Sequence, residues 1–256
     1  MFTKDFWDDR VAKYGHTGYG DPFLYAFDQE ARKFAIDELI KELKLLKTDR
    51  ALDFGCGSGD FIELLNKKFV NVDGFDISEK VLEVARKRFA GSETISFTND
   101  STSLRSENAY DLILTVTVLQ GLLNEELKAI CPLIFRALSD KGFLLCMEFF
   151  ATEARNEKQN ESKATLNHWA HLLKNNNMKV IAEKHFYNPV LFSSRSYKNY
   201  KKNPVLKFLK VFGKFSFVQK ILARKARQLI LAKKDVLGDQ NSTFKIFIIQ
   251  KHAGKT

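Results

Sequence analysis

No run of 18 apolar residues occurs in these 256, so the sequence holds no helix built to span a bilayer. The opening MFTKDFWDDR carries three aspartates and no apolar core of the kind a secretory leader needs, and the expectation is a cytoplasmic protein. Cysteine is scarce. Cys56, Cys131 and Cys146 fall at no C-x-x-C or metal-ligand spacing, which predicts three buried free thiols and no metal site. Internal repeats are absent as well. Acidic residues are missing from one long segment: 195–234 contains 13 Lys or Arg and no Asp or Glu. The chain's other 28 basic residues face 31 acidic ones, so this segment carries the whole basic excess.

What is present suffices for one large core, because 45% of the residues are apolar. From about residue 50 strands and helices alternate. Short apolar or β-branched runs predict strands at Ala51–Phe54, Val70–Phe75, Thr94–Phe97, Tyr110–Val116, Gly142–Phe149, Met178–Phe186 and Phe244–Gln250. Helices are expected at Asp60–Lys68, at Glu79–Phe89 capped by Ser78, at Glu125–Leu138 capped by Asn124, and at Thr165–Asn175. This is an α/β pattern with a largely parallel sheet. Residues 1–48 precede it and are mostly helical (Asp28–Leu46), while 187–241 form an insertion before the last strand.

Between the first strand and its helix lies Asp53-Phe54-Gly55-Cys56-Gly57-Ser58-Gly59-Asp60. Closely spaced glycines let a strand turn sharply and bring backbone against a ligand. The dinucleotide fingerprint G-x-G-x-x-G is not met, because Gly59 comes one residue early. Asp53 would repel a pyrophosphate and suit a ligand carrying an ammonium and a sulfonium, such as S-adenosylmethionine (SAM). Asp76 ends the second strand, where a carboxylate can accept both ribose hydroxyls. Asp100 follows the third strand and can accept from an adenine amino group, with Ile77 as an apolar face for the ring.

DFGCGSGD, GFDIS, FTND, YDLILTVTVLQGL and KGFLLCMEF, in this order, resemble the SAM-binding motifs of class I methyltransferases. The resemblance runs from about Ala51 to Phe149. It implies a Rossmann-like fold, with a seven-stranded mostly parallel sheet, an antiparallel last strand and helices on both faces. It implies further that Gly55 and Gly57 line the methionyl end, Asp76 takes the ribose, Asp100 the adenine, and backbone near Thr115 the ammonium. The segment FWDDRVAKYGHTGYGDP resembles the lid of small-molecule members. There Trp7, Tyr14, His16 and Tyr19 would close over the methionyl group, with His16 and Tyr14 as catalytic candidates, and Arg32 would meet the carboxylate. Residues 1–48 are accordingly expected as a helical lid on a 49–256 SAM-binding domain. Where many such enzymes place a histidine after Leu-Gln, this chain has Gly121.

Candidate substrate contacts are Glu148, His168 and Tyr187. His168 and His171 share a helix face but have no acidic partner at ligand spacing, which argues against a metal pair. The N/D-P-P-Y/F motif of enzymes that methylate amino groups of nucleobases is absent, since the sequence there reads Thr115-Val116-Thr117-Val118. The expected activity is SAM-dependent methylation of O or N on a small, phosphorylated or sugar-derived metabolite. A membrane-borne or macromolecular (RNA or protein) acceptor is the alternative, and a catalytically silent SAM-binding scaffold a third reading. The basic insertion bears on that choice. Its helix, Phe217–Lys234, places Val218, Ile221, Leu222, Ala226 and Leu229 on one side and Lys220, Arg224, Arg227 and Lys234 on the other. Lys225 and Leu231 break the pattern. A solvated face, a contact to phosphate on the substrate, and an anionic membrane or nucleic acid all fit it.

Overall fold

Leu112, Ile113 and Leu114 are consecutive and all inaccessible to solvent. A strand with this composition needs cover on both faces, since successive side chains point opposite ways. The computed structural model, which describes residues 3–45, 48–105, 107–149, 166–186, 204, 216–233 and 244–252, supplies that cover. Leu112 and Leu114 enter one core with Ala51, Leu145, Ile246 and Ile248. Ile113 enters the other with Leu52, Leu144, Cys146 and Phe247.

The strands are β1 (Thr48–Phe54), β2 (Phe69–Phe75), β3 (Ile95–Thr98), β4 (Tyr110–Val116), β5 (Leu138–Phe149), β6 (Met178–His185) and β7 (Phe244–Lys251). The helices are α1 (Lys4–Tyr14), α2 (Pro22–Glu42), α3 (Ile62–Leu65), α4 (Glu79–Arg88), α5 (Asn124–Ala137), α6 (Leu166–Asn175) and α7 (Ser216–Lys233), with short 3₁₀ turns at Ser101–Arg105 and Leu119–Gly121. The sheet order is β3-β2-β1-β4-β5-β7-β6. The first five strands are parallel. β7 runs antiparallel to both neighbours, as the resemblance implies. The order reverses between β1 and β4, and in such sheets ligands bind outside the strand C-termini at that point.

One face is covered by α2, α3 and α4, the other by α5 and α6. Ala31, Ala35, Ile36, Leu39 and Ile40 of α2 are fully buried in the first core. α2 therefore belongs to the sheet's own packing. Of the lid expected over 1–48, only α1 and the loop 15–21 are separate from that core helix. α7 packs along α2.

Three local expectations are corrected. The helix after the glycine turn is only Ile62–Leu65. Beyond it, Lys67 and Lys68 bond back three residues, to Leu64 and Leu65, and the chain enters β2 at Phe69. Asn124 is inside α5 rather than its cap, because the Glu126 carboxylate accepts from the Leu123 amide at 2.7 Å and starts the helix there. Ile221, expected on the buried side of α7, is exposed, since Val218 and Leu222 make the buried contact there.

Candidate functional site

The glycine turn is pinned from below. The amides of Gly55 and Cys56 both donate to the Phe75 carbonyl, at 2.7 and 2.9 Å. Gly55, Gly57 and Gly59 all have positive φ, of 79°, 54° and 84°. A Cβ on Gly55 would overlap the Val118 side chain, and one on Gly57 would overlap Thr17 Oγ1. The turn is thus held between the loop after β4 and the loop after α1, and both approaches need glycine. For Gly55→Ala we expect SAM affinity to fall roughly 10-fold, as a left-handed alanine costs ~1–2 kcal/mol and Val118 must also move. Adding Val118→Ala should restore part of the loss. Calorimetry on the single and double variants checks this, and backbone strain alone would leave the second change without effect.

Acids surround this turn. Asp76 accepts from the Gly57 amide through Oδ2 and from the Ser78 amide through Oδ1, each at 3.0 Å. Burial raises its carboxyl, with the two amides opposing. Asp53 sits at the β1 C-terminus, 1% exposed, and its Oδ2 has no hydrogen-bond partner. Burial first, then the Asp60 and Asp76 charges, push its carboxyl well above the usual range. Burial would raise Asp60 too, but Lys33, Arg88 and the Tyr25 hydroxyl hold it below that range. A cation placed here would restore the Asp53 carboxylate, so this donor set fits a ligand with a sulfonium and an ammonium. Ile77 beside Asp76 is 59% exposed, an open apolar face. The Asp100 carboxylate accepts from the Thr102 amide at 2.8 Å and from its hydroxyl, which caps the 3₁₀ turn.

α1 packs against α4, and the loop after it meets the glycine turn. Asp8 accepts from the hydroxyl of Ser78, which itself accepts from the Val81 amide as the cap of α4. Arg10 donates through Nε to the carbonyls of Thr17 and Gly18, at 2.9 and 3.0 Å. His16 is buried and lies flat on Tyr25, with ring centroids 3.5 Å apart. Burial lowers it to about 4, so it is neutral near pH 7, and its Nδ1 has no hydrogen-bond partner. Tyr25 donates to Asp60 Oδ2 at 2.6 Å, and Arg88 reaches Asp60 Oδ1 at 3.1 Å. The Tyr14 ring is 6.2 Å from His16. The motif reading gave no role of their own to Asp8, Arg10, Thr17, Tyr25 and Asp60; all but Arg10 meet a partner distant in sequence.

Other expected residues are placed as follows. Tyr19 is half-exposed, and its hydroxyl is raised by partial burial and the Asp28 charge. Arg32 is buried, with its Nε 2.7 Å from Asp28 Oδ2, so it is already neutralised within α2. Thr115 is buried in β4 opposite Phe54. The chain then turns sharply, with Thr117 at a φ of 59°, a conformation rare for a β-branched residue. Glu148 is corrected from substrate contact to loop anchor. It is fully buried, and its carboxylate accepts from the amides of Val118, Leu119 and Gln120, each at 3.2 Å. Burial raises it to about 7 against those three amides. His168 lies in α6, which packs against α5 and β6; its side chain and Tyr187 lie outside the described residues. Among the described residues no cluster of His, Cys, Asp or Glu could hold a metal. Cys56, Cys131 and Cys146 are buried free thiols.

A family model described as a methyltransferase domain matches residues 27–203. Among curated proteins, a phosphoethanolamine N-methyltransferase of Plasmodium falciparum is 25% identical over 215 residues, 78% of either chain. A trans-aconitate 2-methyltransferase of Variovorax paradoxus is 32% identical over 126 residues, so the chain spans about half of that relative's length (48%). Among solved structures, phosphoethanolamine N-methyltransferase 2 of Haemonchus contortus, in complex with S-adenosyl-L-methionine, superposes with a TM-score of 0.59 at 16% identity. It covers 97% of this chain and 57% of that one. A SAM-dependent methyltransferase of Leishmania major gives 0.55 at 21% identity, over 70% and 73% of the two chains. At these identities the structural likeness shows the fold.

Proposed function

The chain belongs to the methyltransferase-domain family, and on that premise we propose that it methylates a nitrogen or oxygen of a small phosphorylated metabolite. The protein is a SAM-dependent methyltransferase with a Rossmann-like fold. The observation that carries the cofactor assignment is the orphaned, buried Asp53 oxygen beside a glycine turn. Asp76 would hold the ribose on its remaining lone pairs, Ile77 and Asp100 the adenine, and Asp53 with Gly55 and Gly57 the methionyl end. Bound SAM supplies an electrophilic methyl on a sulfonium.

The chain's own part is alignment and exclusion of water. Loop 15–21, clipped by Arg10 and set on Gly57 through Thr17, covers the turn. We read residues 3–21 as the cover, and α2 together with 49–256 as the domain beneath it. His16 is neutral and has a free buried nitrogen, so it can accept a hydrogen bond or a proton from the acceptor group, with Tyr14 beside it. The substrate class is supported by the phosphoethanolamine N-methyltransferase relative and by the basic segment 195–234. Among the described residues no helix is long and apolar enough to cross a membrane.

Calorimetry tests the first half of this reading. We expect a 1:1 complex with SAM or its demethylated product and none with NAD; tight NAD binding without response to either SAM species overturns it. Labelled-methyl transfer to phosphoethanolamine and other phosphorylated amines and alcohols tests the second. Transfer confined to RNA, protein or lipid acceptors would replace the small-metabolite reading.

A further inference from the structure

α7 packs along α2. Among its described side chains Val218 and Leu222, one turn apart, form a buried strip. The other side of the helix is different in kind. Phe217 and Ile221 are 59% and 52% exposed, although both are large and apolar. Lys220, Arg224, Arg227 and Gln228 are exposed with them. At 3.6 residues per turn these six residues fall within an arc of about 120°, roughly opposite the buried strip. An aromatic and an aliphatic side chain therefore stand together in a row of cations.

We propose that this outward face of α7 docks the protein on an anionic lipid bilayer surface. Charge favours that occupant. Residues 195–234 carry 13 basic and no acidic residues, whereas the rest of the chain has 28 basic against 31 acidic. The basic excess is thus concentrated in one segment, and Lys220, Arg224 and Arg227 place three of its charges on this face of α7. Each Lys or Arg near such a surface contributes, and the effect decays within a Debye length. The apolar pair decides between a membrane and a nucleic acid. Phe217 could stack on a base, but Ile221 has no π-face, and an aliphatic side chain set among cations is of use where acyl chains lie just below charged headgroups. Val218 and Leu222 are buried on the side of the helix away from this face.

The test uses the full chain with vesicles of phosphatidylcholine alone and of phosphatidylcholine mixed with phosphatidylglycerol. We expect co-sedimentation with the anionic vesicles only, weakening as salt is raised. Lys220→Gln/Arg224→Gln/Arg227→Gln should lower vesicle affinity roughly 100-fold. Phe217→Ser/Ile221→Ser should lower it at least about 10-fold with the salt dependence preserved. SAM affinity, measured in parallel, should be unchanged in both, since neither set touches the glycine turn. Equal binding to neutral vesicles, or affinity unaltered in both variants, overturns the proposal. So does binding to single-stranded RNA that the charge variant abolishes and the apolar variant leaves intact. Should a variant fail to fold, the parent decides: vesicle affinity that does not fall between about 50 and about 500 mM salt is incompatible with docking by this face.

Discussion

Asp76→Ala is expected to weaken SAM binding roughly 100-fold. The carboxylate has two duties in the structure. It ties the amides of Gly57 and Ser78, and in the proposed complex its remaining lone pairs take the ribose hydroxyls. Each charge-assisted bond is worth about 1.5–3 kcal/mol, so losing the ribose pair alone exceeds a tenfold effect. The Gly57 amide then loses its acceptor as well, and the turn at a φ of 54° is less firmly set. Asp76→Asn, which keeps one carbonyl acceptor, should fall between the two. Calorimetric titration with SAM reads the affinity, and thermal unfolding separates it from stability. An affinity unaltered by Asp76→Ala would remove this residue from the site.

Glu148 should give opposite pH trends in stability and in activity. Its carboxyl moves from an ordinary 4.5 to about 7 on folding, because it is fully buried. Between those values the folded protein holds a proton that the unfolded chain has released. The associated stability is full below about pH 4.5 and is lost as pH rises through about 7, with a total of about 3 kcal/mol. The ionised form, however, is the one that can accept from all three amides of Val118, Leu119 and Gln120. That loop carries Val118 against Gly55. Loop order, and with it kcat/KM, should therefore rise across pH 7 while stability falls. Glu148→Gln should flatten the stability profile relative to the parent between pH 5 and 8. It should also reduce kcat/KM at pH 8 by about 10-fold, since an amide group offers one acceptor oxygen where the carboxylate offered two. Unfolding and kinetics across that pH range check both, and a variant that keeps the parent's pH slope would assign the effect to another group.

The strand-end acids could be read from the sequence because each sits beside a local signal. Asp53 precedes the glycines, Asp76 closes an apolar run, and Ser78 is followed by a helix that it caps. The alternation of elements likewise foretold the two-sided sheet. Burial of an acid against backbone is another matter. Nothing near Glu148 in sequence distinguishes a substrate contact from an anchor, because its three donors lie 28 to 30 residues earlier, at Val118, Leu119 and Gln120. Tyr25 and Asp60 meet across 35 residues in the same way. The overlong helix at Asp60–Lys68 failed for a related reason. Asp60 is drawn to Tyr25 and Arg88, and Phe69 is committed to β2, which leaves one turn of α-helix between them.

The sheet order also carries a consequence for biosynthesis. β7 is last in sequence yet lies between β5 and β6. While the chain is being made, β5 presents an open edge and β6 has no strand to join until residues 244–251 leave the ribosome. The nascent protein therefore holds an open β5 edge and an unpaired β6 strand during the whole synthesis of the basic segment, a window in which a neighbouring chain can pair with them. A premature stop between β6 and β7 would make that window permanent. Such a product would keep every glycine and acid of the SAM site and still be an aggregating species rather than a weakened enzyme.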